Sequence, residues 1–180
     1  MIYLDNAATT MVSPQVLDSM LRFYTKDYGN ASGVHALARA SRKAVEQARR
    51  EVADAIGANA NEVFFTGSGT ESDNWAVKGV VEAARPNCHI VTSAVEHHAV
   101  LNTCLWLRQQ GHPVTLVPVD SNGLVHPDDV RRAITPDTGL ISVMAANNEV
   151  GTLQPVREIG FIAREHSIPF HVDAVQAMGA

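Results

Sequence analysis

Apolar residues recur every three or four positions from about His35 to Ile56, at Leu37, Ala40, Ala44, Val45, Ala48, Val52 and Ile56. Arg39, Arg42, Glu46 and Arg49 fill the other faces, so the spacing predicts an amphipathic helix ended by Gly57. Before it, Ser13-Pro14 reads as an N-cap followed by proline at the first helical position, opening a helix through about Tyr24. Gly29, Asn30, Ser32 and Gly33 mark Lys26 to Gly33 as a loop. Beyond Gly57 the rhythm changes to short apolar runs separated by helical patterns. The runs Val63–Thr66, Ile90–Ser93, Val114–Pro118, Leu140–Ala145 and Pro169–Val172 predict five strands. Helices are predicted from about Glu71 to Ala84, His98 to Gln110, within Leu124 to Ile134, and from Val156 to His166.

Continuous apolar strands alternating with helices predict a doubly wound α/β fold on a mainly parallel sheet covered on both faces. Ligands of such sheets bind outside the carboxyl ends of the strands. There the sequence gathers Gly67-Ser68-Gly69-Thr70, Glu96-His97-His98, Asn147-Asn148-Glu149 and Asp173-Ala174-Val175-Gln176. Thr70, His97, Asn148 and Asp173 are expected around one concavity of a few hundred Å³, roughly the size of a bound cofactor.

The glycine loop has the parts of a phosphate cup: small residues, a hydroxyl and a helix N-terminus. Its alternative is an ordinary glycine turn with Thr70 as N-cap. It is no Walker A loop, and the dinucleotide fingerprint fails at Ser72 and Asp73. No acid ends the strand Ile90–Ser93 to take a ribose hydroxyl, which further disfavours a dinucleotide-binding domain. Adjacent histidines point apart, so His97 and His98 do not form a metal pair. His97 is either a surface residue or an imidazole placed over a flat aromatic ligand. Asp173 follows an apolar strand and needs a buried partner, either structural or a ligand cation. His171, two residues earlier on the same strand face, is either core or support for the site; Asn147 and Asn148 are read against simple loop hydrogen bonding.

Composition narrows the classes. The 180 residues are 46% hydrophobic and 18% charged, enough for a real core and unlike a disordered chain. A formal charge of −5 with interspersed signs excludes a basic face for nucleic acid. The apolar runs are too short to span a bilayer. The first residues show no basic and apolar leader pattern, so a cytoplasmic location is expected. Cys88 and Cys104 are two thiols without metal or redox spacing, and both read as inert.

Together, Tyr3-Leu-Asp-Asn-Ala-Ala-Thr-Thr10, Gly67-Ser-Gly-Thr-Glu-Ser-Asp-Asn74, Val95-Glu-His-His-Ala-Val100, Ala146-Asn-Asn-Glu-Val-Gly-Thr152 and His171-Val-Asp-Ala-Val-Gln176 resemble the cysteine desulfurases. These are fold-type I, aminotransferase class V enzymes dependent on pyridoxal 5'-phosphate, and the resemblance runs from residue 2 to 180. It implies that residues 13–180 are part of a pyridoxal-phosphate-binding large domain, with 1–12 packing near a small domain not present in this chain. It places the phosphate on Gly69 and Thr70, ring stacking on His97, and the ring hydroxyl near Asn148 and Gln176. Asp173 falls at the pyridine nitrogen, where a charge-assisted bond keeps the ring protonated and a better electron sink.

The family reaction converts L-cysteine to L-alanine and passes the sulfur through an enzyme persulfide to an acceptor protein, for iron–sulfur cluster assembly or other sulfur transfer, in a homodimer. Gly29-Asn30-Ala31-Ser32-Gly33 departs from the family's Gly-Asn-Pro-Ser-Ser. The resemblance places the Schiff-base lysine and the persulfide cysteine beyond Ala180. Lys26, Lys43 and Lys78 match neither position, so the 180-residue chain alone is expected to be inactive. The alternatives are a selenocysteine lyase or other class V enzyme, and a non-catalytic fragment acting as a binding or dimerisation module.

Overall fold

The computed structural model describes residues 2–178. The chain divides between Phe65 and Thr66 into two compact units. In the first, α1 (Pro14–Thr25) is capped by Ser13, whose Oγ accepts the Val16 N–H at 3.3 Å, and none of its residues is buried. Helix α2 (Ala36–Ile56) opens on the His35 side chain and ends at Gly57, whose φ of +68° is the left-handed conformation that glycine adopts without strain. A 3₁₀ turn, Ala60–Glu62, follows, closed by Glu62 Oε2 accepting the Asn59 N–H at 2.7 Å. The Arg49 guanidinium then donates to the Val63 carbonyl and lies 5.0 Å from the Phe65 ring centroid.

Val63–Thr66 is not a strand, contrary to the sequence expectation. The described sheet is built from four later segments instead.

The second unit holds α3 (Gly69–Ala83), β1 (His89–Ser93), α4 (His98–Gln109), β2 (Val114–Val117), α5 (Pro127–Ala133), β3 (Thr138–Ser142), α6 (Val156–Glu165) and β4 (Phe170–His171). The strands form one sheet in the order β2-β1-β3-β4, every neighbouring pair parallel. Alternation along each strand sorts the core into two faces. Ile90 and Leu140 pack with Val77 and Val81 of α3 and Val100, Cys104 and Leu107 of α4. Val91 and Ile141 pack with Val130 of α5 and with Ile159 and Ala163 of α6. The helices change face because the strand order reverses after β2, as right-handed crossovers require. This is the doubly wound α/β arrangement, and its reversal leaves a crevice at the carboxyl ends of β1 and β3.

Candidate functional site

The loops leaving β1 and β3 frame that crevice. A cavity of about 730 Å³ opens between them, with Glu96, His97 and His98 on one side and Asn147, Asn148 and Glu149 on the other. Asn147 builds the wall: its Nδ2 donates to the Val95 carbonyl at 3.0 Å, and its Oδ1 accepts the Glu149 and Val150 N–H groups, each at 2.9 Å. Asn148 is half-buried beside it, and among the described residues its amide takes no hydrogen bond. The two asparagines thus separate into one that shapes the loop and one with donors and acceptor to spare.

The start of α3 supplies a second wall. Ser68, not Thr70, is the N-cap; its Oγ accepts the Glu71 N–H at 3.1 Å, while Glu71 Oε2 accepts the Gly67 N–H at 2.7 Å. The N–H groups of Gly69 and Thr70 fall in the first turn, where no intrahelical acceptor exists, and the helix end is positive. The exposed Thr70 hydroxyl adds a donor. Thr70, Asn74, Lys78, His97 and Trp106 line a second cavity of about 390 Å³. Lys78 is engaged there, its Nζ 4.8 Å from the Trp106 ring centroid.

His97 belongs to both cavities. Its ring is exposed, and its Nδ1 accepts the Ala99 N–H at 3.1 Å, so the histidine is also the N-cap of α4. Of the four residues expected around one concavity, Asn148 lines the first of these cavities and Thr70 the second, His97 lines both, and Asp173 lines neither of the two.

Asp173 lies deeper, only 7% exposed. Its carbonyl accepts the Ala145 N–H at 2.8 Å, and its Oδ1 accepts the Val175 N–H at 3.0 Å in a tight turn. No described residue hydrogen-bonds its other carboxylate oxygen. Gln176 is half-buried in the turn after it, and Val175 rests against Gly69.

Beneath the crevice runs a polar row. Thr92, Ser142 and His171 stand in register across β1, β3 and β4, on the face covered by α3. His171 Nδ1 and Ser142 Oγ share a hydrogen bond of 2.8 Å, and His171 Nε2 lies 3.5 Å from Asp73 Oδ1 on α3. His171 is thus a support within the fold, paired to a buried acid. Sequence reading did not single out Glu96 as a buried acid; it is 5% exposed at the end of this row. Its Oε1 accepts the Ser93 hydroxyl at 2.5 Å and the Met144 N–H at 3.0 Å. Its only sequence signal is its place directly between an apolar strand and the His97-His98 pair. Both thiols are fully buried, and burial raises each pKa, that of Cys104 to about 12.

Residues 2–180 match the family model of aminotransferase class V. The chain belongs to that family. It is 54% identical over 179 residues to the cysteine desulfurase IscS of Methanosarcina thermophila, covering 99% of this chain but 44% of that relative. Among solved structures, a NifS-like protein superposes with a TM-score of 0.95 at 42% identity, over 99% of this chain and 50% of its own. SspA in complex with cysteine superposes with a TM-score of 0.94 at 41% identity, over 97% and 51%. This class V chain thus spans about half or less of the length of the proteins it matches, and it carries their fold over that span.

Proposed function

We propose that this chain is the cofactor-holding part of a pyridoxal-phosphate-dependent cysteine desulfurase, acting on L-cysteine and handing its sulfur to an acceptor protein. The observation that carries the reading is 54% identity to a cysteine desulfurase along essentially the whole chain. The donor set fits the cofactor. Gly69 and Thr70 present N–H groups and a hydroxyl to a phosphate, and the Asp173 carboxylate retains an oxygen for a cationic ring nitrogen. His97 offers an exposed imidazole face, and Asn148 and Gln176 offer amides for a ring hydroxyl.

When bound, pyridoxal phosphate withdraws electrons from the substrate's Cα. The chain's own residues anchor and tune it. The α3 terminus would hold the anion, His97 would stack on the ring, and Asp173 would favour a proton on the ring nitrogen. Whole-protein features, namely the homodimer, the covalent lysine and the sulfur-carrying cysteine, enter as part of the same proposal.

The test is to supply the complete gene product with pyridoxal phosphate, L-cysteine and a dithiol, which reduces the enzyme persulfide and releases its outer sulfur as sulfide, and to measure alanine and sulfide, with L-selenocysteine in parallel. Alanine and sulfide in equal amounts are expected. Turnover of selenocysteine alone would assign a selenocysteine lyase, and no cofactor absorbance would overturn the reading.

A further inference from the structure

Glu96 joins the two loops that frame the crevice. It leaves β1 and reaches the backbone of β3's exit through the Met144 N–H, while Ser93 steadies the same oxygen. The next amide along, Ala145, holds the Asp173 carbonyl, so neighbouring N–H groups anchor Glu96 and Asp173. His97 follows Glu96 directly, and its backbone position depends on where that loop is pinned. Oε2 of Glu96 is removed from water and has no hydrogen-bond partner among the described residues.

The groups facing this carboxyl come from each packed element. His171 of β4 favours its charge, and Asp173 after β4 opposes it. Cys104 of α4 is neutral and near enough to feel it, and Asp73 of α3 already occupies His171. An ionised carboxylate with one bare oxygen in this layer is costly, whereas a neutral acid keeps both bonds at Oε1. Burial is the largest influence and raises the Glu96 pKa to about 7, against the opposing pull of Ser93 and Met144.

We propose that Glu96 is the positioning residue for His97: its Oε1 clasps the ends of β1 and β3 through Ser93 and Met144, and in its protonated form it adds no second negative charge near Asp173. The inference rests on the cofactor reading above only in making His97 a ring-stacking group.

The test compares Glu96→Gln and Glu96→Ala with wild type in the complete gene product, by amide hydrogen exchange, apo-protein stability against pH, and pyridoxal-phosphate titration. Glutamine mimics the neutral acid at Oε1. It should keep the Met144 and Ala99 amides protected, bind the cofactor within about threefold of wild type, and lack the wild-type loss of stability as pH rises. Alanine should speed exchange at both amides beyond any global change and weaken cofactor binding by about tenfold or more.

Unchanged Ala99 exchange and affinity in Glu96→Ala would overturn the proposal. So would a glutamine variant that behaves like alanine, or one that keeps the wild-type pH profile. If Glu96→Ala does not fold, the glutamine profile decides alone. If wild type binds no pyridoxal phosphate, the cofactor reading fails, while exchange at Ala99 and the pH profile still decide the role of Glu96.

Discussion

A Cβ placed on Gly69 would lie 2.9 Å from Val175 Cγ2, so the start of α3 and the turn after Asp173 meet where only glycine leaves room. Val175 is β-branched and stiff, so it cannot simply swing aside. Gly69→Ala should therefore push the start of α3, the proposed phosphate site, away from the Asp173 turn. We expect pyridoxal phosphate to bind about fivefold more weakly, the scale of a mild overpacking near 1 kcal/mol. Adding Val175→Ala should restore most of the loss. Equal affinity in all three proteins, measured by absorbance titration, would show that the contact does not shape the cup.

Glu96 makes a pH prediction of definite sign. Its folded pKa of about 7 lies above the ordinary 4.5, so the native state holds the proton more tightly than the unfolded chain. The contribution is fully present below about 4.5 and is lost as pH rises to about 7. Glu96→Gln does not lose it. Relative to wild type, the variant should gain stability from pH 4.5 to 7, by about 3 kcal/mol at most, and hold that gain above. Urea unfolding of both proteins across this range checks it; the other carboxylates cancel in the difference. A flat difference would place Glu96 in the ordinary carboxylate range.

Cys104 and Cys88 should be silent toward thiol reagents. Both are fully buried, and with the Cys104 pKa near 12 only about one molecule in ten thousand carries its thiolate at pH 8. Peptide mapping after treatment with an aromatic disulfide should find neither residue labelled in the folded protein and both labelled in urea. Prompt labelling of either one in the native state would contradict its burial and reopen it as a sulfur carrier.

Much of this arrangement was legible in the residues. Helices declare themselves locally, and the pattern at Leu37, Ala40, Ala44 and Ala48 gives α2 to within a residue of its observed ends. Strands depend on partners. Val63–Thr66 has strand-like residues but is not one of the sheet's four described strands, whereas Leu140–Ala145 outruns β3 only in name: the Val143 and Ala145 N–H groups still bond the His171 and Asp173 carbonyls. The crossing at β1 and β3 follows from alternation of strands and helices, so the edge that gathers His97 and Asn148 was foreseeable.

Depth is legible at Asp173 but not at Asn147, Asn148 or Glu96. Nothing local distinguishes Asn147, locked by its loop, from Asn148, whose amide no described residue hydrogen-bonds, or marks Glu96 as buried. Those facts depend on the Val95, Met144 and Ser93 contacts brought together by the fold. Asp173 ends an apolar run, which places it deep, and the Ala145 N–H ties its backbone to β3's exit.

Asp173 offers the sharpest separation of charge from structure. Its Oδ1 closes the turn onto the Val175 N–H at 3.0 Å, a bond that an asparagine Oδ1 can accept equally well. Asp173→Asn should therefore keep the fold and the turn against Gly69, while Asp173→Ala loses the turn as well. In the complete gene product, the asparagine variant should still bind pyridoxal phosphate, because in the proposed reading the α3 terminus and His97 would hold it. On the proposed cofactor reading, what disappears is the negative charge that would keep the ring nitrogen protonated, and with it a few kcal/mol of transition-state stabilisation, about a hundredfold or more in turnover. Asp173→Ala should lose as much turnover and, in addition, show weaker cofactor binding and a lower Tm. Measuring alanine formation, cofactor absorbance and thermal unfolding for both variants separates these effects. Near-wild-type turnover in Asp173→Asn would mean that the carboxylate serves only the turn, and that the proton on the ring is held by another group.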